Sequence, residues 1–164
     1  MLVFYLPFSW SPALSALLFA LAAITDWFDG YLARRWGVTT AFGAFLDPVA
    51  DKLLVAVALI LIVQANPSVW IAIPAAVIIG REITISALRE WMAGIGESTG
   101  VKVAFMGKVK TTAQMGALTL LLYNQPLFGL PTHQIGLVLL ILALVLTLWS
   151  MILYLRAAWP YMKT

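Results

Sequence analysis

The chain has 164 residues, of which 63% are hydrophobic and only 10% charged, where an average soluble domain carries about 25% charge. With a mean hydropathy of +0.98, this excludes a soluble globular domain, a disordered chain and a nucleic-acid-binding module, and points to a single integral membrane domain spanning 1–164. There is no Cys, so disulfides, thiol nucleophiles and Cys metal sites are excluded too, and the net charge of +3 matters less than where the charges lie.

The N-terminal residues 1–10 are apolar and aromatic but too short to span a bilayer, and they lack the positive start of a signal peptide. They read as the tail of a helix that begins ahead of Met1. Five spans follow, predicted over 12–35, 47–63, 69–91, 110–123 and 134–157, each apolar over much of its length. Gly37, Gly43 and Pro48 punctuate the first gap and Asn66-Pro67-Ser68 the second. Gly94, Gly96 and Gly100 mark the third, and Pro126, Gly129 and Pro131 the last. Trp10, Trp70 and Trp159 fall near helix ends, as interfacial anchors do.

If the helices alternate, nine of the ten Lys and Arg residues share one side and the tenth, Arg81, lies within a helix. The opposite loops, 64–68 and 124–134, hold no Lys or Arg. The charged side is then the cytoplasmic face of the cell's inner membrane.

Ionisable residues inside membrane segments cost ~2.5–3.5 kcal/mol each on insertion scales, and are functional candidates for that reason. Asp26, Asp29, Asp47 and Asp51 are four of the seven acids in the chain. Spacings of three and four place each pair on one helical face. A short turn joins the two helices, so the faces are expected to meet. Four carboxylates at one point would take up protons unless a cation joined them. An oxygen-only donor set suits Mg²⁺, Mn²⁺ or Ca²⁺, and such a metal suggests phosphoryl chemistry. Gly30 and Ala33 leave room for a close backbone approach, and Arg34 suits a phosphate. A purely structural alternative pairs Asp26 and Asp51 with Arg34 and Lys52.

Read together, these residues run Asp26-x-x-Asp29-Gly30-x-x-Ala33-Arg34, eight residues, then Gly43-x-x-x-Asp47-x-x-x-Asp51. This resembles the complete signature of the CDP-alcohol phosphatidyltransferases. The stretches Asp47-Pro-Val-Ala-Asp-Lys, Arg81-Glu-Ile and Gly107-Lys-Val-Lys-Thr-Thr-Ala-Gln are similar to the branch of that family whose acceptor is sn-glycerol 3-phosphate. The resemblance implies an all-α, six-helix membrane bundle, usually a homodimer, here holding five full transmembrane helices and a stub of the first. It implies transfer of a phosphatidyl group from CDP-diacylglycerol to an alcohol, with release of CMP. By position, Asp26, Asp29 and Asp47 would bind Mg²⁺ or Mn²⁺ on the diphosphate. Asp51 would be the general base and a further metal ligand. Gly30, Ala33, Arg34 and Gly43 would line the CDP site. Family members carry a polar Asn/Thr/Arg segment at the start of the first helix that helps hold the nucleotide; the expectation is that this chain begins past it.

The acceptor phosphate needs cations. Arg81 and Arg89 lie eight apart and share a helical face, so Arg81, Arg89, Lys108 and Lys110 are the candidates. The alternative is that the arginines pair with Glu82 or Glu90 and the lysines sit among anionic headgroups. Thr111, Thr112 and Gln114 either bond into the site or join helices. His133 is expected to face solvent, and Trp27 and Phe28 to face lipid or a neighbouring helix. Within the family the acceptor could also be inositol phosphate, serine or phosphatidylglycerol. Outside it, a cation transporter would place its acids nearer the midplane, and a scaffold would not need four acids at these spacings.

Overall fold

A computed structural model gives the fold, and its described residues are 2–36, 41–96 and 104–162; the side chains of 2, 26, 27, 29–36, 41, 42, 44, 45, 47, 48 and 104–108 lie outside that description. Five helices follow one another: α1 Ser11–Trp36, α2 Ala41–Ala65, α3 Val69–Gly94, α4 Ala104–Tyr123 and α5 Thr132–Ala158. Short 3-10 turns at Leu2–Tyr5 and Trp159–Met162 flank them. Among the described residues there is no strand, only an isolated bridge between Leu127 and Leu130 in the loop before α5.

The five expected helices are present, and two start earlier than the sequence suggests. α2 begins at Ala41, so Gly43 and Pro48 lie inside it rather than in a break. α4 begins at Ala104, ahead of the expected Lys110. In an apolar medium an unmade backbone hydrogen bond costs several kcal/mol, more than the local preference of one Gly. Helices therefore run through weak breakers. The N-terminal stretch, expected as the tail of a helix, instead makes one 3-10 turn and then bends. Pro7 has no N–H with which to extend a helix. The turn is fastened by the Ser11 hydroxyl, which donates to the Val3 carbonyl. The Tyr5 hydroxyl also donates to Gln64 Oε1 near the end of α2, at 2.7 Å.

The buried stripe of α3 runs Ile71, Ala75, Ile78, Arg81, Ile85, Leu88 and Met92, at the three-and-four spacing of one helix face. That of α5 runs Gly136, Leu140, Ala143, Thr147, Ser150 and Ala158. Small residues on this stripe let backbones approach closely. A Cβ on Gly136 would stand 2.9 Å from Leu121 Cγ and 3.2 Å from Leu120 Cβ, so α4 and α5 meet there with no space to spare. The core gathers Ala58, Leu59 and Ile62 of α2 with Ile78 of α3 and Leu118, Leu121 and Leu122 of α4.

The outer surface is apolar as well. Leu53, Ile60, Ile73, Val138 and Val145 are all exposed, an arrangement that suits hydrocarbon. Trp10, Trp70 and Trp159 are exposed where helices begin or end. Among the described residues, Val69–Gly94 and Thr132–Met162 are long and apolar enough to cross a membrane.

Candidate active site

The stripe that buries α3 also carries its charge. Arg81 sits midway along the helix and is only 7% exposed. Its Nη1 lies 3.0 Å from Glu82 Oε1, and its Nη2 donates to Ser150 Oγ of α5 at 2.6 Å. The Ser150 hydroxyl in turn donates to the Thr147 carbonyl at 3.0 Å. Glu82 also accepts from Lys110 of α4, with Nζ at 2.5 Å. One carboxylate thus bridges two buried cations from neighbouring helices. Two turns further along α3, Arg89 Nη2 donates to the Tyr154 hydroxyl at 2.7 Å. Its guanidinium stands 4.7 Å over the Tyr154 ring, within the range of a cation–π contact.

These side chains wall a cavity of about 210 Å³, which Asp51 and Lys52 of α2 complete. Four cations, Lys52, Arg81, Arg89 and Lys110, face two carboxylates, Asp51 and Glu82. The surplus of positive charge in a partly dehydrated space favours an anionic guest. Among the described residues, two buried atoms in the lining have no hydrogen-bond partner, Arg81 Nε and Gln114 Oε1.

A second, mostly apolar space of about 650 Å³ lies between α1 and α4, walled by Ala20, Ile24, Phe28, Thr112 and Thr119. Asp51, Thr111 and Met115 belong to the linings of both spaces. Phe28, half exposed, lines this groove.

Four of the sequence candidates, Asp51, Arg81, Arg89 and Lys110, converge on the polar cavity. Thr111 and Gln114 line it as well, whereas Thr112 faces the apolar space. Gly43 is half-buried on α2. Asp26, Asp29, Gly30, Ala33 and Arg34 belong to α1 and Asp47 to α2; their side chains, and that of Lys108, lie outside the described residues. The meeting of the acid-bearing helix ends lies there too. Among the described residues no three acidic or His side chains converge. His133, in the first turn of α5, pairs with Asn124 Oδ1 of the preceding loop at 2.9 Å.

The pairing of Arg81 with Glu82 was one of the two sequence alternatives, and the structure adds Lys110 to it. Arg89 is bound by Tyr154. Ser150 and Tyr154 were missed from sequence. The signal was present: Thr147, Ser150 and Tyr154 sit at the spacing of one helical face in an otherwise apolar helix.

Residues 1–149 match the model of the CDP-alcohol phosphatidyltransferase family. The chain belongs to that family. Among similar members is a protein of Salmonella typhimurium, 58% identical over 156 residues, 95% of this chain and 84% of that one. One from Shigella flexneri serotype 5b is 57% identical over 157 residues, 96% of this chain and 85% of its own. One from Yersinia enterocolitica serotype O:8 is 58% identical, with the same coverage of 96% and 85%. All three are named CDP-diacylglycerol–glycerol-3-phosphate 3-phosphatidyltransferase. In this CDP-alcohol phosphatidyltransferase, the described part of the candidate site is the polar cavity lined by residues of α2, α3, α4 and α5.

Proposed function

We propose that the chain transfers the phosphatidyl group of CDP-diacylglycerol to sn-glycerol 3-phosphate, giving phosphatidylglycerophosphate and CMP. The carrying observation is the shared cavity: Asp51 lines the same 210 Å³ space as Arg81, Arg89 and Lys110. A base beside a cluster of cations suits an acceptor that is both an alcohol and a phosphate dianion. The names of relatives at 57–58% identity support the same acceptor.

Asp51 accepts the proton of the acceptor hydroxyl. The freed oxygen bonds to the β-phosphorus, and the bond from that phosphorus to the CMP oxygen breaks. Arg81, Arg89 and Lys110 hold the acceptor phosphate, with the guanidiniums suited to paired contacts on its oxygens. Asp26, Asp29, Asp47 and Asp51 supply an all-carboxylate donor set suited to Mg²⁺ or Mn²⁺, which when bound neutralises charge on the diphosphate. Gly30, Ala33, Arg34 and Gly43 line the CDP site. The chain works in a homodimer in the inner membrane, its site facing the cytoplasm and its five helices spanning fully.

The test is CMP release by purified protein in detergent micelles with CDP-diacylglycerol and Mg²⁺. Glycerol 3-phosphate, inositol phosphate and serine serve as acceptors, and Asp51→Asn as the control. Release that requires glycerol 3-phosphate and is lost in the variant is expected. Release with inositol phosphate or serine alone would overturn the acceptor assignment.

A further inference from the structure

Gln114 belongs to the buried stripe of α4, one turn beyond Lys110, and is 6% exposed. The large majority of buried side-chain polar atoms have a hydrogen-bond partner. Here, among the described residues, the Gln114 oxygen has no partner, and neither has Arg81 Nε in the same lining. The two do not bond each other. One is a hydrogen-bond acceptor and the other a cationic donor, so the molecule that satisfies both carries a hydroxyl and an anionic oxygen. Leaving either atom unmatched in a dry wall is costly, and a guest that meets both offsets that cost.

Resting on the transfer reaction proposed above, we propose that Gln114 is a specificity-determining residue that accepts a hydrogen bond from the non-reacting hydroxyl of the acceptor. Glycerol 3-phosphate has two hydroxyls. The attacking one gives its proton to Asp51, so its hydrogen is already committed. The other has a proton to donate, and Gln114 Oε1 is the buried acceptor without a partner in this cavity. The phosphate then lies against Arg81, whose Nη1 and Nη2 are held by Glu82 and Ser150 while Nε is left for the guest.

The experiment compares glycerol 3-phosphate with 3-hydroxypropyl phosphate, which keeps the phosphate and the attacking hydroxyl and lacks the other. The wild-type protein is expected to prefer glycerol 3-phosphate by ~10-fold or more in kcat/KM, because the analogue leaves the amide oxygen unpaired. Gln114→Met is expected to bring the two acceptors within about twofold while the KM for CDP-diacylglycerol stays near wild type. The ratio is taken within one preparation, so a partly folded variant does not alter it. Equal use of both acceptors by the wild type overturns the inference, whether or not the variant turns over. So does an unchanged preference in Gln114→Met. Absence of CMP release from the wild type with either acceptor is a different result: it overturns the transfer reaction itself, and the role of Gln114 with it.

Discussion

Lys110 on α4 and Glu82 on α3 meet at 2.5 Å, with both side chains largely buried. Removing one partner strands the other charge in a poorly hydrated wall, and Glu82 also faces Arg81. Glu82→Gln is expected to destabilise the protein by ~3–5 kcal/mol, the usual cost of breaking a buried pair. Removing Lys110 as well takes away one stranded charge. The Glu82→Gln/Lys110→Met double variant should therefore be more stable than the two losses added, by a coupling of ~1–3 kcal/mol. Denaturant unfolding in detergent measures all four corners of the cycle; strict additivity would contradict a direct pair.

Asp51 is exposed to the cavity on α2. Asp51→Asn keeps the shape and loses the base. A fall in kcat of ~10²–10⁴ is expected, with little change in unfolding temperature. CMP release and thermal unfolding check the two halves, and near-normal turnover would remove Asp51 from the base role.

Arg81→Ala deletes the deepest cation of the wall and its bond to Ser150. The apparent KM for glycerol 3-phosphate should rise well above any change in that for CDP-diacylglycerol. Ser150→Ala removes only the hydroxyl and is expected to have a smaller effect of ~1 kcal/mol, near fivefold in acceptor kcat/KM. Equal rises in both substrate KM values for Arg81→Ala would count against an acceptor role.

Tyr154 holds Arg89 in two ways, by its hydroxyl and by its ring. Tyr154→Phe keeps the ring and should cost acceptor kcat/KM only two- to threefold, about 0.5 kcal/mol. Tyr154→Ala loses both contacts and should cost ~10-fold. Steady-state kinetics on the pair separates the contributions; identical values would mean the ring carries nothing.

Gly136 and Gly80 provide a packing contrast. A methyl at Gly136 collides with Leu121 and Leu120, whereas at Gly80 nothing lies within 4 Å. Gly136→Ala is expected to destabilise by ~1–3 kcal/mol through overpacking. Gly80→Ala, in mid-helix, should be neutral or stabilising by up to ~1 kcal/mol. Unfolding in detergent orders the two.

The helices were readable because an apolar run long enough to span leaves few alternatives, and turn residues such as Asn66-Pro67-Ser68 mark where runs end. What misled was local: Gly43 and Pro48 look like breakers, yet α2 runs through both, and one Gly costs a helix only ~1 kcal/mol. Asp51, Arg81, Arg89 and Lys110 were readable as candidates that share one cavity because charge is so rare in this chain that each instance stands out. Ser150 and Tyr154 were not, because their partners lie 69 and 65 residues away in sequence. A polar residue in an apolar helix shows its face by spacing but not which helix it faces. Glu82 was seen as a partner of Arg81 and not of Lys110 for the same reason.

The cations of the cavity wall are also the rivets between helices. Arg81 fastens α3 to α5, Arg89 does so again nearer the helix end, and Lys110 fastens α4 to α3. In the proposed reaction, grip on the acceptor and cohesion of the fold draw on the same few side chains. A substitution there is penalised twice, once in turnover and once in assembly, and no rearrangement elsewhere compensates both. Exposed apolar positions such as Ile60 and Val138 carry neither duty. Sequence drift should pool on that outer skin, where one aliphatic side chain replaces another freely, and the wall of the cavity should stay frozen.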